Sequence, residues 1–247
     1  MKFQVRFNSF LLIYFFIPFN VVRVFSQEIT TDSFYLKSLK NSIDFYHQSF
    51  ANQSALFNGP VYHDYLLKLN KGQPYFYAED ITIGSLVYDD VLYDSVMMQY
   101  DEIADMLIVS SDKGKVQIWD QKVSSFHLYN TTFIRLQKDS SFDNLKGSHY
   151  YNLLYSGKIM VLKKEVKIIQ EKFYSTAESA RFTEEQNYYY VIKDGVWHSI
   201  FNSRDFYKIL GENKAAVKQF VKLNQLSFRT EREVMLTKAA TYYDSLK

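Results

Sequence analysis

The side chains best suited to chemistry are nine carboxylates between residues 79 and 112, a stretch that contains no Lys or Arg. Two carboxylates that face each other can serve as general acid and general base in hydrolysis, so Asp94, Asp101 and Asp105 are the candidates for such a pair. Asp94 also shares strand parity with hydrophobic neighbours, and a carboxylate on a buried face needs a partner or a role. The stretch lacks the Asp-x-Asp-x-Asp-Gly spacing of a calcium loop, so we predict no metal site.

Residues for several other chemistries are missing. The chain has no cysteine, which excludes thiolate zinc sites, thiol catalysis and disulfides, and its five histidines show no pair at zinc-site spacing. It contains neither a G-x-S-x-G nucleophile elbow nor a glycine-rich phosphate loop. We therefore predict no cofactor, and the sequence leans away from an enzyme.

Aromatic side chains are the best indication of a ligand. The chain has 21 Tyr, 21 Phe and 2 Trp, and rings on a β-sheet can stack on sugars or line a lipid cavity. We select Tyr151, Tyr189 and Trp197 as ligand-binding candidates, with Asp94, because alternate residues of their predicted strands face outward. The alternative is that tyrosine simply suits strand surfaces.

Residues 1–26 have the layout of a signal peptide, with two basic residues before an apolar run and a cleavage position before Gln27. A retained membrane anchor is the rival interpretation, but Pro18, Asn20 and Arg23 interrupt the run well short of the ~20 residues that a spanning helix needs. Cleavage removes three basic residues, which changes the formal net charge from +2 to −1. A near-neutral mature protein is a poor match for nucleic acid, so we predict none as a partner.

The remaining chain predicts an α+β protein in three parts. Residues 27–83 contain a helix over 32–50 and a connecting arm, whose part at 61–69 is either a second helix or extended. Residues 84–200 predict an antiparallel β domain of about eleven strands, expected to form a long curved meander as a half-barrel, a barrel-like sheet or a sandwich. Its predicted turns include Asp89-Asp90, Asn130-Thr131 and Asp194-Gly195, and its strand candidates include 159–162 and 166–173, the second followed by a charged connection over 175–186. Residues 201–247 predict a C-terminal helical cap, whose last helix would begin with a capping box of Thr230 and Glu233.

Four patterns of turn and aromatic residues run along the mature chain: Leu56-Phe-Asn-Gly59 with Tyr62, the segment Gly84–Tyr93, the segment Leu153–Lys158, and the pair Tyr242-Tyr243. In this order they resemble uncharacterised exported proteins of the Bacteroidota. The resemblance implies a periplasmic or outer-envelope location and one β-rich domain with helices at both ends. It implies no catalytic residue, because no activity is assigned to that group.

These observations predict an exported, non-enzymatic protein that binds an apolar or extended ligand, or an envelope partner, on a curved β-sheet. Lipid, glycan and envelope protein are the candidate partners. One alternative is a secreted hydrolase that uses carboxylates of the 94–105 region, and another is a structural subunit of an envelope complex held by sheet-edge pairing.

Overall fold

The computed structural model describes residues 35–42, 55–66, 69–138, 147–173 and 179–246. They fall in two compact units, Met1–Ser49 and Phe50–Lys247. In the first unit, residues 35–42 form helix α1, which confirms the middle of the helix predicted over 32–50. The other residues of that predicted helix, and the predicted signal peptide 1–26, lie outside the described ranges.

The second unit contains ten strands followed by three helices. The strands are β1 (Thr82–Tyr88), β2 (Val91–Asp101), β3 (Met106–Ser111), β4 (Gly114–Gln117), β5 (Val123–Leu128), β6 (Thr131–Lys138), β7 (Gly147–Ser156), β8 (Ile159–Phe173), β9 (Ser179–Lys193) and β10 (Val196–Ser199). The helices are α2 (Ser203–Ile209), α3 (Lys214–Leu223) and α4 (Arg232–Ser245).

All ten strands belong to one antiparallel sheet in the order β10-β9-β8-β7-β6-β5-β1-β2-β3-β4. The predicted α+β class with a long curved meander is confirmed, and the sheet does not close into a barrel. Turn chemistry explains two of its hairpins: Asp89 and Asp90 both have positive φ, as do Asp194 and Gly195, and these residue types tolerate that conformation.

Two predictions within the β domain are wrong. The strand candidates 159–162 and 166–173 are one strand, β8, and the charged segment 175–186 was predicted as a connection although its part from Ser179 onward belongs to β9. The reason is that β8 and β9 pair over their whole length, from Ile159–Lys193 to Phe173–Ser179. Beyond their pairing with β7 and β10, residues 164–173 and 179–188 continue as a two-stranded ribbon, which we call the β8–β9 ribbon. Such a ribbon exposes much of its side-chain surface, so its sequence lacks the apolar alternation of a half-buried strand.

The arm between helix and sheet is extended where it is described. Val61 bridges Val116 at the edge of β4, and the Tyr62 amide donates to the Lys115 carbonyl at 3.0 Å. Residues 61–66 are therefore extended and do not form the second helix that was the other possibility. The contacts with β4 cover one edge of the sheet.

The sheet curves until the end of β2 meets the β8–β9 ribbon. The Lys167 amide donates to the Glu102 carbonyl at 3.3 Å, although four strands separate β2 from β8 in the sheet order. Residues 70–76 add a bridge, because Lys71 pairs with Phe182 of β9 while Tyr75 pairs with Asp101 of β2. Gly72 permits that approach: its φ is +82°, and a Cβ there would lie 2.0 Å from Thr183 Oγ1.

The predicted C-terminal helical cap packs on β8 and β9. The shared core includes Val161 and Val191 from the strands, with Phe206, Val217 and Leu236 from the three helices. The predicted capping box at Thr230 is wrong, since α4 begins after Glu231 with no side-chain cap. The capping box of this region opens α2 instead, where the Asn202 side chain accepts from the Asp205 amide and the Asp205 carboxylate accepts from the Asn202 amide.

Among the described residues, no helix combines the length and the apolar character needed to cross a bilayer.

Candidate functional site

Tyr77 holds its ring out from the protein on a strained backbone. Its φ is 63°, and the Ala78 amide donates to the Phe76 carbonyl at 2.8 Å, so Tyr77 is the central residue of a γ-turn with positive φ. This is the rare and strained form of the γ-turn. The residue is nevertheless 75% exposed, so burial of its ring returns little of the free energy that the backbone costs.

Tyr129 occupies an equally unusual position. It is the first of the two turn residues between β5 and β6, with φ of 51°, where hairpin turns favour Gly, Asn or Asp. The first residue of each other two-residue hairpin loop in this sheet follows that preference, with Asp89, Asp112, Gly157 and Asp194. Tyr129 is the exception among them.

The two strained tyrosines meet. Their ring centroids lie 4.6 Å apart with 40° between the planes, and we call Tyr77 and Tyr129 the tyrosine pair. Phe76 packs against the pair. Its ring centroid lies 6.1 Å from that of Tyr129, and its ring packs edge-on against Phe133 with centroids 5.0 Å apart. Phe133 is buried in the core of β1–β7, so the pair rests on rigid packing.

A second cluster of polar residues lies where the β8–β9 ribbon meets the turn after β2. Asp105 accepts from Lys164 at 2.6 Å and from the Tyr100 hydroxyl at 2.5 Å, and its other oxygen lies 2.5 Å from His149 Nδ1. Burial by itself raises the pKa of Asp105, but the bond from His149 and the nearby ammonium of Lys164 outweigh it, so the pKa is below the ordinary value. The ionised carboxylate accepts from three side chains at once.

Lys164 is the most deeply buried charge of this cluster, with 2% of its side chain exposed. Burial lowers its pKa, and the Asp105 carboxylate acts in the opposite direction. Its ammonium also donates to the Tyr150 carbonyl at 3.0 Å. The cluster therefore ties the ribbon to β2 and β7, and its bonds account for the charges that it contains.

Asp101 lies nearby but has different partners. One of its oxygens accepts from the hydroxyls of Tyr62 and Tyr65 at 2.9 and 2.8 Å, and the other accepts from the amides of Ile103 and Ala104. These four bonds anchor the arm and form the turn after β2. They satisfy both oxygens of a side chain that solvent does not reach.

Asp94 is exposed on the outer surface of β2. The register with β1 shifts here, since Gly84 pairs with Val96 while Leu86 pairs with Tyr93, and Ser95 has φ of 57°. This β-bulge adds one residue to β2, so the residues before the bulge face the opposite side of the sheet from the one that strict alternation predicts. Asp94 therefore does not face the same side of the sheet as Val96, Met98 and Tyr100. Because its side chain is exposed, burial does not require a partner for its charge.

Two of the three aromatic candidates, Tyr151 and Tyr189, are buried, and Trp197 is half-buried in the edge strand β10. Tyr151 is fully buried, 5.3 Å from the ring of Trp197, while the adjacent Tyr150 points to the opposite face and is also buried. Tyr189 lies under α4, where its hydroxyl donates to Glu233 at 3.1 Å and Arg232 stacks on its ring. The structure does not bring these residues together with the tyrosine pair or with Asp94, and their binding of a ligand stays a prediction.

Within the described ranges, no three His, Asp or Glu side chains come close enough to hold a metal ion. The comparisons with known proteins give no relative either: no family model, no curated protein and no solved structure matches this chain.

Strand alternation does not single out the tyrosine pair, because both residues lie in turns outside the strands. The turn after β5 was placed at Asn130-Thr131, one residue late, which assigned Tyr129 to a strand end. The available signal was an aromatic residue in a two-residue hairpin loop. Tyr77 offered no comparable signal, because its γ-turn depends on the contacts of Phe76 and Gln73.

Proposed function

We propose that the protein is exported and binds a ligand, without changing it chemically, at the tyrosine pair beside its curved sheet. A single observation carries this proposal: two residues in left-handed backbone conformations jointly present one paired aromatic surface, most of it exposed on Tyr77. Strained conformations persist where a function or the surrounding packing requires them. The exposure of Tyr77 favours function over packing.

Export rests on the composition of residues 1–26, and the location that we propose is the periplasm or the outer envelope. Processing of a signal peptide would leave Gln27 as the first residue. The intact mass of the protein from its native source tests this directly, because retention of residues 1–26 would contradict export through a cleaved signal.

The carboxylates of the 94–105 region do not favour hydrolysis. Asp101 and Asp105 accept hydrogen bonds within the protein on both oxygens, and Asp94 lies exposed at the bulge. A hydrolase with two carboxylates needs one to hold a proton for the leaving group and the other to face water or substrate. The partners around Asp101 and Asp105 instead describe structural contacts.

Edge pairing with another chain is also less favoured. Pro60–Tyr62 cover β4 at one edge, and β10 at the other edge is only four residues long. Short and covered edges are the devices by which proteins avoid pairing with other chains.

The test is native mass spectrometry of the protein purified gently from its native envelope fraction. We expect a stoichiometric bound molecule that is lost in the double variant Tyr77→Gly/Tyr129→Gly and retained in Phe201→Ala. Phe201 is a matched control, since it is equally exposed, at 75%, and lies outside the pair.

Stability separates binding from packing. Glycine relieves the positive φ at Tyr77, so Tyr77→Gly should leave the free energy of unfolding unchanged or raise it by up to about 1 kcal/mol. A loss of more than about 1 kcal/mol would show that Tyr77 stabilises the fold. A bound molecule that the double variant retains would overturn the proposed site, and the absence of any bound molecule would contradict the proposed function.

A further inference from the structure

We infer that the ligand of the tyrosine pair is a neutral saccharide chain, one pyranose ring of which stacks on the open face of Tyr77. This inference rests on the proposed function and names its ligand class. It is argued from the spacing of the two rings, the charge around them and the polar side chains beside them.

The ring spacing determines where a ligand can contact the pair. A planar group inserted between two rings needs centroids about 7 Å apart, twice an ordinary van der Waals contact. The centroids of Tyr77 and Tyr129 are 4.6 Å apart, so the two rings occupy each other's inner faces. A ligand therefore stacks from outside, on the exposed face of Tyr77.

The same spacing argues against a cage for a quaternary ammonium group. Such a cage arranges several aromatic faces around the cation, each within about 6 Å of it. Here the two tyrosine rings are 4.6 Å apart at 40°, and the Phe76 ring lies 6.4 Å from Tyr77 and 6.1 Å from Tyr129, so the three rings pack against one another and leave no space for a cation between them. One open ring face suits the flat side of a pyranose, whose C–H groups approach the negative face of the ring.

The charges of the two segments that carry the pair argue against an anionic ligand. Neither residues 72–112, which carry Tyr77, nor residues 123–134, which carry Tyr129, contain Lys or Arg. Glu79 and Asp80 are exposed and follow Tyr77 within three residues. A phosphate headgroup, a sulfated chain or a uronic acid polymer would meet like charge here, and neither of these two segments supplies a Lys or Arg to bind it.

Polar residues that follow the two tyrosines in the sequence suit a ligand with hydroxyl groups. Glu79 and Asp80 follow one tyrosine and Asn130 and Thr131 follow the other, so carboxylates, an amide and a hydroxyl flank the rings in the chain. A pyranose combines an apolar face with hydroxyls around its rim, which requires acceptors and donors around an aromatic centre. A hydrocarbon ligand would leave these groups unused.

The experiment is isothermal titration calorimetry of the purified protein with defined probes. The neutral probes are cellohexaose, maltohexaose, mannohexaose and xylohexaose, and the comparison probes are hexagalacturonic acid and choline. We expect at least one neutral probe to bind, Tyr77→Gly to weaken that binding at least roughly tenfold, and Tyr77→Phe to preserve it within about threefold, because stacking uses the ring rather than its hydroxyl. Phe201→Ala should bind as the wild type does.

Three results would overturn the inference: no binding of any neutral probe, stronger binding of hexagalacturonic acid or choline, or neutral binding that Tyr77→Gly leaves intact. Binding of choline that depends on Tyr77 would refute the saccharide class, and such binding of hexagalacturonic acid would refute the neutral charge of the ligand. Both results would leave the proposed function standing. Failure of every probe, together with no bound molecule in native mass spectrometry, would refute both.

Discussion

Lys164 Nζ lies 2.6 Å from Asp105 Oδ1, which joins the β8–β9 ribbon to the turn that follows β2. The ammonium also contacts the Tyr100 hydroxyl at 3.1 Å and the Tyr150 carbonyl at 3.0 Å. The sheet order separates β8 from β2 by four strands, so this contact exists only because the sheet curves. The contacts of this buried ion pair therefore stabilise the curved arrangement of the sheet.

Removing Lys164 should destabilise the fold strongly. Lys164→Met leaves Asp105 as a buried carboxylate without its ammonium, and breaking a buried pair from one side costs about 3–5 kcal/mol. The measurement is urea unfolding followed by circular dichroism. Lys208→Met is the control, because Lys208 is 74% exposed and 3.9 Å from Asp205, and surface pairs of that kind contribute at most about 1 kcal/mol. Equal effects of the two substitutions would contradict the role assigned to Lys164.

The arm should depend on the hydroxyls that reach Asp101. Tyr65→Phe removes the 2.8 Å bond to Oδ2 and keeps the ring. Loss of a hydrogen bond to a charged acceptor costs about 1.5–3 kcal/mol, and the loss here should be smaller because the Tyr62 hydroxyl still donates to the same oxygen. Tyr62→Phe and Tyr65→Phe together should lose more than the sum of the single losses, because the second change leaves Oδ2 without either hydroxyl. Urea unfolding of the three variants measures this, and strict additivity would contradict it.

Glu102 should make stability fall as the pH rises. Burial raises its pKa from 4.5 to about 7, the Glu165 carboxylate adds to the rise, and the ion pair with Lys167 at 2.8 Å opposes it without prevailing. The folded protein therefore holds a proton that the unfolded chain releases near pH 4.5. The resulting stabilisation is complete below that pH and is lost towards pH 7, at about 1.4 kcal/mol per pH unit.

Unfolding free energies of the wild type and Glu102→Gln between pH 4.5 and 8 provide the measurement. The difference between the two proteins should change with pH by that slope up to about 7 and stay constant above it. Curves that run parallel through the whole range would show that Glu102 titrates at its ordinary pKa. Histidines contribute equally to both proteins and cancel in the difference.

Local signals explain why much of the sheet was predictable. Asp89-Asp90 and Asp194-Gly195 combine favourable turn residues with apolar strands on both sides, and both hairpins form as predicted. The error at β8 and β9 has the opposite cause. Charged residues such as Lys167 and Glu185 pair across the ribbon, and only the tertiary contacts of β8 with β2 explain why a strand continues there.

The candidate site was not predictable in the same way. Both members of the tyrosine pair sit in backbone conformations that sequence preferences assign to Gly, Asn or Asp, so a propensity argument excludes tyrosine from these positions. The burial of Tyr151 and Tyr189 was not predictable for a related reason. The parity argument assumes one solvated face, whereas β7 is buried on both faces by Tyr150 and Tyr151.

Gly157 should prove indispensable to the attachment of α4. It lies in the β7–β8 turn, where an added Cβ would stand 1.8 Å from Asp244 Oδ2, the oxygen that accepts from the Tyr155 hydroxyl and the Lys158 amide. Gly157→Ala must displace this carboxylate, and overpacking of that kind costs about 1–3 kcal/mol.

Asp244→Ala alone should also destabilise, since it removes both bonds. In the double variant the carboxylate clash is gone and only the Tyr155 ring, 2.9 Å from the added Cβ, still lies close, so the alanine at 157 should add little to the loss caused by Asp244→Ala. Urea unfolding of the four proteins gives the coupling energy, and full additivity would show that the carboxylate does not pack against Gly157 in solution.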